Sequence, residues 1–154
     1  MSTLQRDDVT VRLLADGTVG KLARWLRLLG YDCRYLEEGR DAVAHQARAE
    51  DRVLLTRDRE LARRQGLRTV LIASDVLSEQ IAQVTEAVGS PPETAPTRCT
   101  VCNVPLQEIS VEEARADVPT HVIKTHETFH RCPKCGRIYW QGTHWEGIER
   151  ETGP

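Results

Sequence analysis

The sequence predicts an α/β fold: a mainly parallel sheet flanked by helices, followed by a small C-terminal metal module. Three observations carry this expectation. Short apolar runs alternate four times with helical patterns before Gly89, three of those runs stop at or beside an aspartate, and four of the five cysteines form two Cys-x-x-Cys pairs. The 154 residues hold 21 basic and 23 acidic side chains, a formal charge of −2 with no basic tail, so nucleic-acid binding would have to come from a local patch. No apolar run approaches the roughly 18 residues of a membrane span, and Met1 to Asp8 lacks a signal-peptide core. A soluble, cytoplasmic protein without membrane contact is expected, and in a reducing compartment paired cysteines argue for metal rather than disulfides.

The first apolar run, Leu13 to Ala15 with Val11 ahead of it, reads as a buried strand that ends at Asp16 and the breakers Gly17 and Gly20. Leu22, Trp25, Leu26 and Leu29 then follow the i, i+3, i+4, i+7 spacing of a buried helical stripe, which leaves Lys21, Arg24 and Arg27 on another face near the acid. An aspartate capping a helix beside a solvated basic face is the plainer account of the same residues. Gly30 stops the helix, Tyr31 to Leu36 reads as a second strand, and Cys33, the unpaired cysteine, as a small buried side chain. Ala42 to Ala49 is a short alanine-rich helix with Asp41 placed to cap it. Val53 to Thr56 is a third strand running into Arg57-Asp58, Arg59 to Gln65 is helical, Thr69 to Ala73 is a fourth strand before Asp75, and Leu77, Ile81, Val84 and Val88 stripe a last helix.

Asp16, Asp58 and Asp75 thus sit beyond strand ends, where open α/β sheets place their ligand sites, and Asp41 opens a helix on the same edge. Converging carboxylates repel one another, and a hard divalent cation such as Mg²⁺ or Mn²⁺ among them would relieve that repulsion. Each acid alone has the alternative reading of a helix cap.

Residues 90–97 carry three prolines and read as a linker, dividing an α/β domain over 9–89 from a module over 98–150. Cys99 and Cys102, then Cys132 and Cys135, form two knuckle-like pairs able to complete a tetrahedral four-sulfur Zn²⁺ site; with no open position it would be structural. Ser110-Val111-Glu112-Glu113 resembles a capping box, which suggests a short helix between two β-hairpins. His121, His126, His130 and His144 are further ligand types, less favoured while all four thiols are present. The rings of Tyr139, Trp140 and Trp145, with His144, serve either as the module's own core or as a stacking surface for unpaired bases.

Several uncommon motifs occur in order. Asp16, Gly20 to Arg27 and Leu29-Gly30-Tyr31, Leu55 to Leu61, Arg98-Cys99 with Cys102-Asn103, Cys132 to Gly136, and Tyr139 to His144 together resemble the PIN-like ribonuclease family with a C-terminal zinc ribbon, named for the C-terminal domain of the mut-seven exonuclease. The resemblance runs from about Val11 to Ile148. It implies a PIN-like fold and metal-dependent RNA hydrolysis, with Asp16 and Asp58 as strand-end acids. The family usually has adjacent acids opening the second helix; here Arg40-Asp41 stands there, so Asp41 is the expected second acid, with Glu37 or Glu38 as replacements and Asp75 as a fourth. On this reading Asp16, Asp58 and Asp41 hold Mg²⁺ or Mn²⁺, and Lys21, Arg24, Arg27 and Arg57 bind the phosphates of RNA with single-stranded regions. The same residues also allow a noncatalytic RNA-binding or ribosome-associated adaptor, or a protein-interaction module.

Overall fold

The computed structural model describes residues 11–91 and 98–140. Strands β1 (Arg12–Asp16), β2 (Asp32–Leu36), β3 (Val53–Thr56) and β4 (Thr69–Leu71) form one parallel sheet in the order β2-β1-β3-β4. Between them lie α1 (Gly20–Leu29), α2 (Arg40–Ala49) and the one-turn α3 (Arg59–Ala62), and α4 (Leu77–Val88) follows β4. The period-2 alternation of β1 sorts its side chains between two cores. Leu13 and Ala15 meet Leu22 and Leu26 of α1 and Ile81 and Val84 of α4 on one face, while Leu14 meets Val43, Ala44, Ala47 and Leu61 on the other. Truncating one of these leucines, Leu14 or Leu26, both fully buried, would cost about 2–5 kcal/mol because the sheet cannot collapse into the space left.

Helix α1 ends at Gly30, whose φ of 112° lets its amide and that of Tyr31 turn back to Leu26 and Arg27 carbonyls. Two expected elements are shorter than the pattern implied. Helix α3 stops at Ala62, where the Arg63 and Arg64 amides tighten onto the Glu60 and Leu61 carbonyls, and β4 stops at Leu71, whose carbonyl is taken by the Gln83 side chain. The cap of α2 also differs: the helix starts two residues earlier, with Gly39 at its N-cap, and Asp41 lies inside the first turn.

The second module is a three-stranded antiparallel sheet of β5 (Gln107–Ile109), β6 (Phe129–Arg131) and β7 (Ile138–Trp140), rather than two separate hairpins. Between β5 and β6 lie α5 (Val111–Arg115) and a further short helix, α6 (Thr120–Thr125). Ser110 caps α5 through a capping box with Glu113. Ala114, Val118, Val122 and Phe129 form the core beneath these helices. Among the described residues no helix is long and apolar enough to cross a membrane.

Candidate active site and cysteine centre

Helix α1 carries the chain from β1 to β2 on one face of the sheet, and α2 returns it to β3 on the other, so the strand order reverses between β1 and β3. The C-terminal ends of those two strands flank the crevice where such sheets place ligands. Asp16, the last residue of β1, lies there, 5% exposed. Its Oδ1 accepts the Thr18 amide at 3.0 Å and the Thr18 hydroxyl at 2.5 Å, and its Oδ2 accepts the hydroxyl of the fully buried Thr56. All three donors are neutral, and among the described residues no cation pairs with Asp16. The two hydroxyls also accept from β3's end: Thr18 Oγ1 takes the Arg57 amide and Thr56 Oγ1 the Asp58 amide, both at 2.9 Å. Each threonine therefore stitches the tip of one strand to the other.

Asp58 does two jobs that need no metal. Its Oδ1 caps α3 by accepting the Glu60 and Leu61 amides at 3.0 and 3.3 Å, and its Oδ2 meets Arg40 Nε at 2.6 Å. The Arg40 guanidinium, helped by the cap amides, holds the Asp58 carboxyl below its ordinary value. Asp41 turns to Arg64 at 2.7 Å with its side chain 95% exposed, and makes no contact with the aspartate–threonine network. Asp75 is exposed and lines a cleft of about 280 Å³ together with Thr18 and Lys21. Among the described residues the four cysteines are the one gathered group of three or more metal-ligand side chains; the aspartates do not form such a group.

The cysteines are gathered by two matching turns. The Cys99 sulfur accepts the Val101 and Cys102 amides, and the Cys132 sulfur those of Lys134 and Cys135, all at 3.4 Å. Each turn closes with a residue of positive φ, Asn103 at 59° and Gly136 at 82°, whose amide returns to the first cysteine's carbonyl at 2.9 Å. The four ligand sulfurs lie within 4.8 Å of one another, with Cys99 and Cys135 at 3.7 Å. A tetrahedron with Zn–S bonds of about 2.3 Å has edges of about 3.8 Å, so the donor set and spacing fit Zn²⁺. Burial pushes the Cys99 thiol up, but the Tyr139 hydroxyl at 3.1 Å and the Cys102 and Val101 amides outweigh it and bring Cys99 to about 7, toward the thiolate a metal needs.

A family model described as the Mut7-C RNAse domain matches residues 11–152. The chain belongs to that family. No curated protein and no solved structure matches it. Membership makes this a ribonuclease domain, with RNA as the substrate class the name carries.

The basic residues expected to serve the Mut7-C site part company. Lys21 and Arg24 are exposed on α1, and Arg57 is exposed with its guanidinium on the Ser74 carbonyl. Arg27 departs from the expected solvated face: it is 8% exposed and donates to the Cys33 carbonyl at 2.7 Å and the Thr100 carbonyl at 2.5 Å. The cause is docking. Leu28 and Trp25 of α1 pack against Cys99, Cys132 and Tyr139, and Asn103 reaches the edge strand β2, accepting the Cys33 amide at 3.1 Å and donating to Asp32 at 2.8 Å. Cys33 is fully buried, and burial raises its thiol to about 12, so it is an inert core residue. Of the aromatic cluster, Tyr139 is buried in the cysteine core and Trp140 packs near Phe129 with centroids 6.5 Å apart. His144 and Trp145 lie outside the described residues.

Thr18, Thr56, Arg40 and Asn103 are the site residues that sequence reasoning passed over. The threonines carried a signal: each stands two positions from a strand-end aspartate, the spacing of Asx and Ser/Thr turns.

Proposed function

We infer that the chain hydrolyses RNA phosphodiester bonds in the crevice between β1 and β3, with Asp16 at its centre and Mg²⁺ or Mn²⁺ as cofactor. One observation carries this reading: Asp16 is a buried carboxylate at a topological switch point whose partners among the described residues are all neutral. Burying such a charge is costly without compensation, and an oxygen donor of this kind suits a hard cation. Asp58 fits the same role only when Arg40 yields its Oδ2, and Asp75 faces the neighbouring cleft as a candidate outer ligand. The strand order and the acids at strand ends support a PIN-like classification.

When bound, a divalent ion supplies an activated water and stabilises charge on the leaving oxygen. Thr18 and Thr56 fix both oxygens of Asp16, so the carboxylate meets its ligand without reorganisation. Lys21, Arg24 and Arg57 stand where they can orient phosphates. Two carbonyl partners weigh against Arg27 in that role, and the pairing with Arg64 weighs against Asp41 as a metal ligand.

The Arg40–Asp58 pair favours a second reading, because it neutralises one acid without metal: a noncatalytic RNA-binding or ribosome-associated adaptor. Purified wild type and Asp16→Asn, assayed on a mixed RNA panel with Mg²⁺, Mn²⁺ and EDTA, separate the two. The nuclease reading expects cleavage that EDTA abolishes and that Asp16→Asn lowers by about 10²-fold or more, equivalent to roughly 2.7 kcal/mol, with the fold intact. Salt-sensitive RNA binding without cleavage in any metal would establish the adaptor instead.

A further inference from the structure

A groove of about 870 Å³ runs between α1 and the first cysteine turn, and its walls come from both modules. Lys21, Arg24, Trp25 and Tyr35 line it from the α/β side, and Val101 and Arg137 from the cysteine side. No carboxylate is among the described residues that line it. The groove adjoins the smaller cleft that holds Thr18, the hydrogen-bond partner of Asp16, since Gly20 and Lys21 line both.

Its chemistry is cations interleaved with exposed apolar faces. Tyr35 is 37% exposed and Val101 58% exposed, both unusual for large apolar side chains in this molecule. The Tyr35 ring lies close to the start of α1: a Cβ on Gly20 would stand 3.1 Å from Cε1. A row of cations attracts a phosphate backbone whatever its sequence, and an open aromatic face takes an unstacked base. Paired bases stay stacked on one another and cannot use that face, so the combination selects single strands over duplex.

We propose that this composite groove binds an unpaired RNA strand, with Lys21, Arg24 and Arg137 along its phosphates and Tyr35 as a stacking platform, and leads that strand to Asp16. The cysteine module is then half of the substrate-binding surface and not only a stabilising appendage. The inference rests on the ribonuclease reading in placing Asp16 at the end of the path.

The test is fluorescence anisotropy of the full-length protein with a labelled oligouridylate of about 12 nucleotides and a blunt duplex of equal length. Mg²⁺ and Mn²⁺ are omitted, which prevents cleavage and leaves the zinc in place, and zinc content and melting temperature check that each variant is folded. Wild type is expected to bind the single strand more tightly than the duplex. Arg137→Ala should weaken binding several-fold and reduce the slope of log affinity against log salt by about 0.7, one phosphate contact's worth. Tyr35→Leu should weaken it about tenfold, and Tyr35→Phe, which keeps the ring, should restore it. Wild-type affinity in both Arg137→Ala and Tyr35→Leu, or equal affinity for duplex and single strand, overturns the proposal. Cleavage measured in parallel keeps the two readings apart. Asp16-dependent cleavage with groove variants that bind normally removes the groove alone, whereas groove-dependent binding without cleavage removes the nuclease reading alone.

Discussion

The cysteine centre and the aspartate crevice are both candidate ligand sites, yet one is assembled by local turns and the other by the topology of the whole sheet. Each Cys-x-x-Cys turn closes through three short-range amide bonds, two to sulfur and one to a carbonyl, and the four sulfurs come within 4.8 Å. The carboxylates behave otherwise. Asp16 takes threonine hydroxyls, Asp58 takes Arg40 and Asp41 takes Arg64, so each carboxylate has a protein partner of its own. Thiols carry little charge at their ordinary values and tolerate close approach, whereas carboxylates are already charged and each finds its own compensation.

The largest effect that would sharpen this contrast is removal of a sulfur. Binding energy at a structural zinc site is on the order of 10 kcal/mol and coupled to folding, so Cys132→Ser should abolish zinc stoichiometry and leave the amides of 98–140 unprotected in hydrogen exchange. Residues 11–89 should stay protected except at Cys33, whose amide is bonded to Asn103. Chelator-free protein that contains no zinc would break the comparison at its root.

A smaller effect should follow from cutting the link between the regions. Asn103→Ala removes the partner of the Cys33 amide and one donor to Asp32, and also places alanine at a positive φ of 59°. A loss of about 1–3 kcal/mol is expected by chemical denaturation. Asn103→Gly relieves the backbone strain while keeping the lost contacts, so equal losses in both variants would assign the cost to the side chain.

The smallest effect tests whether Arg40 stands in for a metal. The pair is partly exposed, Arg40 at 52% and Asp58 at 21% of their side chains, so Arg40→Gln should lower stability only slightly. The sign with pH is fixed by the lowered Asp58 value. The pair's stability is present above the unfolded value, 3.8, and is lost as pH falls through the lower folded one, so wild type and variant should converge in acid. Freed from Arg40, Asp58 should raise the apparent Mg²⁺ or Mn²⁺ affinity of cleavage; an unchanged metal titration would mean that Arg40 and the cation do not compete.

Much of the molecule was legible because its signals are local. The apolar runs at Leu13 and Val53, the stops at Gly30 and Asp58, the capping box at Ser110 and the cysteine spacing each report on a few neighbouring residues, and each was found where the pattern placed it. Arg27 was misjudged because helical periodicity describes the face turned to α1's own sheet. It carries no trace of a second surface supplied by Thr100, 73 residues later. Arg40 was visible only as a departure from the family's paired acids, and its contact with Asp58 depends on how two strand ends meet. Thr56 read as the last residue of a strand; that its hydroxyl serves two aspartates required the register of β1 against β3.

Strand β2 is an edge of its sheet, and edges invite other chains to pair with them. Asn103 and the docked turn cover part of this one, while Trp25 and Leu28 beside it are covered by Cys99 and Tyr139. Withdrawal of zinc thus uncovers backbone donors and an adjoining apolar strip together, which is the composition of a self-association surface. A chelated preparation would be expected to show this first as concentration-dependent growth in light scattering, before any change in the parallel sheet itself; a metal held by the four cysteines would then guard solubility as well as shape.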